Sequence, residues 1–298
     1  RSIMMVGAVL AVSLAGCNGR KGNAPPKPTP DGGSGPDQVK ITICAGDSLP
    51  ALPSGTCTVK VGSGSTLVTG DLLAPGEVLR GGQMLIGADG AIRCLGCDCS
   101  TDPDAAAATQ VTCPDGVVSP GLINPHDHLT YAQGKPYTAT DERYEHRHDW
   151  RRGLRGHTEI PSAGSSSELE KAWGELRFVM SGATSVNGSG GAKGFMRNLD
   201  GKDQEGLDEQ AVDFDTFPLG DISGTLLASG CDYPSRRTSD QIKNLTAYTP
   251  HVAEGIDAEA RNELACLRSG MNDILQPQTA LIHGIGLWPN DIAEMKLD

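Results

Sequence analysis

In the first third of the chain, apolar and polar positions alternate. Val39, Ile41 and Ile43 share one side of an extended segment, as do Cys57, Val59 and Val61. Met84-Leu85-Ile86 runs into Asp89-Gly90 and then Ala91-Ile92-Arg93, an order that predicts a hairpin. Gly70-Asp71, Pro75-Gly76 and Gly81-Gly82 predict further turns. Residues 40–119 therefore read as a small all-β module.

Beyond residue 120 the pattern becomes strands alternating with helices. Ser167 and Glu170 make a capping box, and Leu169, Ala172, Trp173, Leu176, Val179 and Met180 follow at helical spacing up to Gly182. Ala183-Thr184-Ser185-Val186 reads as a strand. Asp257 caps a second helix carrying Ala260, Leu264 and Leu267, which Gly270 stops. Ala280-Leu281-Ile282 reads as a buried strand, and Pro289 opens a last helix. Alternation of this kind implies parallel strands, in a barrel or a doubly wound sheet.

The start of the chain is different again. Residues 3–15 are apolar, too few to span a bilayer but the length of a signal-peptide core. They end in Leu14-Ala15-Gly16-Cys17, which resembles the lipobox of bacterial lipoproteins. The resemblance implies a signal peptide over 1–16 and a lipid on the Cys17 thiol. That lipid would anchor the chain to a membrane of the cell envelope. Asn18 after the cysteine favours the outer membrane where the host has one. Residues 17–39 read as a tether, because 18–40 hold five Pro and five Gly and no apolar period.

Composition narrows the function classes. The net charge is −12, with 25 Lys+Arg against 37 Asp+Glu and no basic stripe, which argues against a nucleic-acid partner. Gly is 39 of 298 residues, nearly twice the usual share of about 7%. So many glycines fit turns and close backbone approaches rather than a bundle or coiled coil. Six of the nine cysteines lie between Cys44 and Cys113, where two or three disulfides are expected of an exported chain. Cys94, Cys97 and Cys99 alternatively form half of a zinc site.

Seven histidines carry the candidate chemistry. His126-Asp127-His128 follows an apolar run, and side chains two apart on a strand point the same way. His251 follows the run 245–250 and precedes the capped helix. His283 ends Ala280-Leu281-Ile282. In a parallel barrel such strand ends share one face, where active sites form. His146, His148 and His157 lie in a charged segment, 141–159, with five Arg and five acids. It reads as a solvated loop of internal ion pairs or as a lid over an anionic or polar substrate, and His146 and His148 are not assigned to metal.

Pro120-Gly121-Leu122-Ile123-Asn124-Pro125-His126-Asp127-His128-Leu129 resembles the first barrel strand of the amidohydrolase superfamily. His251-x-x-Glu254-Gly255 resembles the fifth-strand motif of its cytosine deaminase and chlorohydrolase branch, and 282–293 the sixth-strand segment. The hairpin with Gly81-Gly82 and Asp89-Gly90 is similar to the N-terminal β-sandwich of that family.

The resemblance runs from about residue 65 to 298. It implies a small β-sandwich module over 40–119 and a TIM-like (β/α)8 barrel, of which 120–298 supply about six strands. It further implies that His126, His128 and His251 bind one divalent metal, Zn2+ or another such as Fe2+. Glu254 would carry protons, and His283 would stabilise the attacking water or the oxyanion. The activity implied is hydrolysis of a non-peptide C–N bond in a small-molecule substrate, by deamination or cyclic-amide opening.

The family's remaining ligand, an Asp after strand eight, has no counterpart; Asp291, Glu294 and Asp298 lie on a helix past His283. With no initial Met, the chain reads as a fragment of a longer product, poorly active by itself. Two alternatives keep the fold without the chemistry: a catalytically inactive binding lipoprotein, and a structural module of the envelope.

Overall fold

The computed structural model describes residues 39–201 and 210–295. The proposed signal peptide, Cys17 and nearly all of the tether lie outside them. The chain is mixed α/β and divides into two compact units, 1–121 and 122–298. No helix among the described residues is long and apolar enough to cross a membrane.

The first unit is a single six-stranded mixed sheet. Its strands are β1 (Lys40–Ile43), β2 (Thr58–Lys60), β3 (Thr66–Ala74), β4 (Glu77–Ile86), β5 (Ile92–Gly96) and β6 (Thr109–Val118). The order is β1-β4-β3-β6-β2, with β5 also on β4. All the described strands of this unit belong to that one hydrogen-bonded sheet, where a sandwich of two sheets was expected.

The Pro75-Gly76 and Asp89-Gly90 turns are present, with Gly76 and Gly90 at φ 72 and 82. The other two glycine pairs are not turns. Gly70 sits at a bulge inside β3. Gly81-Gly82 lies inside β4, where the strand changes partner from β1 to β5. Gly81 adopts φ 64, and a Cβ there would meet the Asp47 backbone nitrogen. Ile41, Ile43, Val59 and Val61 are exposed, against the alternation that placed them inward. They lie on β1 and on the segment containing β2, at the ends of the sheet order, while β3 and β4 supply the core residues Leu67, Leu72, Leu79 and Leu85.

Three disulfides link this unit: Cys44–Cys97, Cys57–Cys113 and Cys94–Cys99. All three cysteines of the Cys94-x-x-Cys97-x-Cys99 run are thereby used, which rules out the half zinc site.

The second unit has six short strands in two parallel sheets, each in chain order. One is β7 (Leu122–Asn124), β8 (Ala183–Val186) and β9 (Arg197–Asn198). The other is β10 (Asp213–Asp215), β11 (Tyr248–Val252) and β12 (Ile282–His283). The sheets are joined by single backbone bonds, Leu199 N–H to Val186 O and Val212 N–H to Leu199 O. Among the described residues no closed barrel is formed.

Helices α1 (Arg147–Arg152), α2 (Glu168–Met180), α3 (Ser239–Ile242), α4 (Ala258–Cys266) and α5 (Pro289–Met295) complete the unit. The Ser167–Glu170 box and the Asp257 cap form as the sequence predicts. Tyr248, Val252, Leu264, Leu267 and Ile274 pack the main core, and a fourth disulfide, Cys231–Cys266, ties α4 to the loop before α3. Only one edge of the apolar stripe of α2 meets the core: Val179 packs against it, Leu169, Trp173 and Met180 are exposed, and Glu175 beside that edge is buried. Glu175 accepts hydrogen bonds from the Ala192 and Met196 N–H groups and from the Asn198 side chain. Its place is decided by loop donors that helical spacing does not reveal.

Candidate metal centre

Four of the seven histidines meet at the C-terminal ends of β7, β11 and β12. His126 and His128 follow β7, His251 is the fourth residue of β11, and His283 ends β12. Parallel pairing sets Val252 opposite His283, which holds β11 and β12 in register. The backbone turns abruptly here: Ala253 has φ 56 and His283 φ 73, conformations costly for residues with a Cβ. Such strain persists where surrounding contacts over-determine it. Two are visible: Ala253 N–H donates to Glu263 Oε2, and Gly284 N–H to Val252 O.

The Nε2 atoms of His126, His128 and His251 form a nearly equilateral triangle with sides of 3.1, 3.0 and 3.2 Å. Three imidazoles so placed cannot satisfy one another, because each neutral ring has one N–H and one lone pair. A cation facing all three lone pairs resolves the conflict. Zinc at about 2.0–2.1 Å from each nitrogen in tetrahedral geometry sets the nitrogens about 3.3 Å apart, close to what is seen. Ligand atoms of His126, His251 and His283 also lie within 4.8 Å of one another. The residues therefore fit a divalent ion with nitrogen ligands. One feature departs from the usual arrangement: His251 Nδ1 is buried with no hydrogen-bond partner among the described residues, where a metal-bound histidine normally donates to one.

Electrostatics keep the rings neutral. Burial lowers the pKa of His126 and of His128, and mutual repulsion adds to it for His126. His251 is lowered to about 3 and His283 to about 4, first by burial and then by neighbouring positive charge. Neutral imidazole is the form that binds metal.

Glu254 lies just past the Ala253 turn. Its Oε2 is 3.4 Å from His283 Nε2. Burial raises the pKa of its carboxyl, opposed first by Arg147.

One residue that builds this site, Asn187, was not singled out by the sequence motifs. Asn187, at the end of β8, donates its side-chain amide to Pro125 O and to Thr249 Oγ1, at 3.1 and 2.7 Å. Its carbonyl accepts from Asp127 N–H. It thus ties the His126–His128 segment to the strand carrying His251. Its position directly after a predicted strand was the available clue.

The segment 141–159 is neither a lid nor a solvated loop along its whole length. His146, Arg147, His148 and Asp149 are buried. Arg147 Nη2 meets Asp221 Oδ2 at 2.5 Å, His148 Nε2 meets the same oxygen at 2.8 Å, and His146 Nε2 meets Glu263 Oε1 at 3.1 Å. Arg147 N–H donates to Glu254 O, and Ile256 N–H to Glu145 O, so the segment is stitched to the backbone on both sides of Gly255. A Cβ on Gly255 would meet Glu145 O at 2.5 Å, which explains the glycine.

Glu145, Asp149 and His157 also cluster within 4.8 Å, but Arg155 holds both oxygens of Asp149 and so supplies the positive charge there. Asp291 is held by Arg261 and Arg268, and it accepts a bond from Trp288 N–H.

Compared with protein-family models, curated proteins and solved structures, the chain matches none.

Proposed function

We propose that residues 122–298 form a metal-dependent hydrolase of the amidohydrolase type, acting on a non-peptide C–N bond of a small molecule. The observation that carries this reading is the His126–His128–His251 triangle of Nε2 atoms with Glu254 and His283 beside it. The order of β7 to β12, all parallel within their sheets, is what six successive strands of a (β/α)8 barrel would show.

His126, His128 and His251 would hold the ion, Zn2+ or a similar divalent cation. When bound, such an ion acidifies water and polarises a carbonyl or amidine carbon. Glu254 takes a proton from the attacking water and passes it to the leaving nitrogen. A carboxyl whose pKa is raised by burial is suited to do both near neutral pH. His283, neutral and next to Glu254, would hydrogen-bond the attacking water or the developing oxyanion.

The purified chain is expected to hold about one zinc, the load of a single three-histidine site. In the full-length gene product, Glu254→Gln should keep the metal and lose activity by about 10²–10⁴-fold. His126→Ala should lose both. Elemental analysis beside a screen of deaminase and cyclic-amide substrates checks this. Glu254→Gln as active as the parent rejects the mechanism, and metal without any turnover favours an inactive binding protein.

The same reading places the protein in the cell envelope, anchored through a lipid on Cys17. Four disulfides support an oxidising compartment. Detergent-phase partitioning that Cys17→Ala does not change would reject the anchor.

A further inference from the structure

Four arginines lie in 147–155, of which Arg152 is exposed to solvent. Arg147 is paired with Asp221, and Arg155 with Asp149 and Asp257. Among the described residues Arg151 has no carboxylate partner. Its guanidinium is nevertheless held in place. Nη1 lies 2.9 Å from His148 Nδ1, and the carbon at its centre sits 4.4 Å over the Phe217 ring.

His148 is itself oriented. Its Nε2 faces Asp221 Oδ2 at 2.8 Å, so the proton sits on Nε2 and the Nδ1 lone pair accepts from Arg151. Asp221, His148 and Arg151 form a chain that fixes one guanidinium N–H and leaves the other four unassigned. The side chain is half-buried rather than sealed. Phe217 follows the C-terminal end of β10, the same end of the parallel strands on which Glu254 and the histidines lie. Arg151 and Glu254 also feel each other electrostatically.

We propose that Arg151 is the subsite for a carboxylate on the substrate, received by its planar fork while the C–N bond lies at the histidine centre; this rests on the hydrolase reading above. A rigid guanidinium matches a carboxylate in geometry and charge. Arg147 and Arg155 are neutralised by carboxylates and Arg152 is exposed to solvent, so the one held, uncommitted guanidinium suits a monoanion better than a phosphate dianion.

The test is calorimetric binding to the zinc-loaded chain of hydantoin, hydantoin-5-acetate and inorganic phosphate. The carboxylate probe should bind about 10–100-fold more tightly than hydantoin, the range of a charge-assisted hydrogen-bond pair, and more tightly than phosphate. Arg151→Met keeps an apolar stem over Phe217 and should abolish that preference, with zinc content and hydantoin affinity retained. Arg151→Lys should restore only part of it.

Equal binding of the two hydantoins, no binding of the carboxylate probe, tighter binding of phosphate, or an unchanged preference in Arg151→Met overturns the subsite. A carboxylate preference lost in Arg151→Met, in a chain that hydrolyses no C–N bond, would instead keep the subsite and reject the hydrolase reading. Turnover of uncharged amides with no such preference would do the reverse.

Discussion

The unit ending at Gly121 and the one beginning at Leu122 solve the problem of stability differently. Among the described residues the first buries no charged side chain, and its apolar clusters are small, with Leu67 and Leu85 in one and Leu72 and Leu79 in another. Three disulfides link its strands and loops. The second has a larger apolar cluster and one disulfide, and it buries Arg147, His148, Asp149, Asp221 and Glu263. A sheet with little core gains most from cross-links that restrict its unfolded chain. A site that must keep histidines neutral gains from a low-dielectric interior, at the cost of pairing every charge brought inside. Stability in the first unit is largely covalent and its ionised groups are not buried, whereas in the second it is tied to the ionisation of buried groups.

The largest expected effect comes from cutting the long cross-links of the first unit. Cys44–Cys97 and Cys57–Cys113 close loops with separations of 53 and 56 residues, each contributing roughly 4 kcal/mol by loop entropy. Replacing all four cysteines with serine should collapse amide protection in β3 and β4 and leave β11 protected. Equal loss in both units, read by hydrogen exchange, would erase the contrast.

Next is the buried ion network. Asp221→Ala strands Arg147 and His148 without their shared oxygen and should cost about 3–5 kcal/mol. Denaturant unfolding followed through the second unit reads this. A loss under 1 kcal/mol would show that the network is dispensable.

Acid should separate the units more gently. The pKa of His251 is about 3 when folded, below its ordinary 6.5, so the unfolded chain binds the proton first. Stability of the second unit therefore falls as pH drops from 6.5 toward 3, by on the order of 4 kcal/mol for this residue alone. His283 acts in the same direction. Unfolding midpoints should move further with pH in the second unit than in the first, where Glu77 and Asp98 have lowered pKa values, and His251→Asn should flatten the slope in the second.

The smallest effect is at the start of α2, where Ser167 and Glu170 hold each other's backbone N–H. Ser167→Ala should cost about 1 kcal/mol, visible as a small shift in Tm and absent from zinc content.

Local chemistry made much of this protein legible in advance. The Asp89-Gly90 hairpin, the Ser167 and Asp257 caps, the strand 183–186 and the helix opened by Pro289 depend on residues within a few positions of one another. Their signals are complete in the sequence. The histidines were legible as strand-end residues for the same reason, and their positions alone suggested a shared face.

What only the tertiary structure decided involves partners far apart in the chain. His126 and His251 are 125 residues apart, and their nitrogens meet at 3.0 Å. Arg147 finds Asp221 across 74 positions and His146 finds Glu263 across 117. These pairings turn what reads as a charged loop into part of the interior. The same holds for which face of α2 is covered, for the exposure of Ile41 and Val59, and for which cysteines pair. Apolar periodicity shows that an element has two faces, and packing against distant residues selects which of them leaves water.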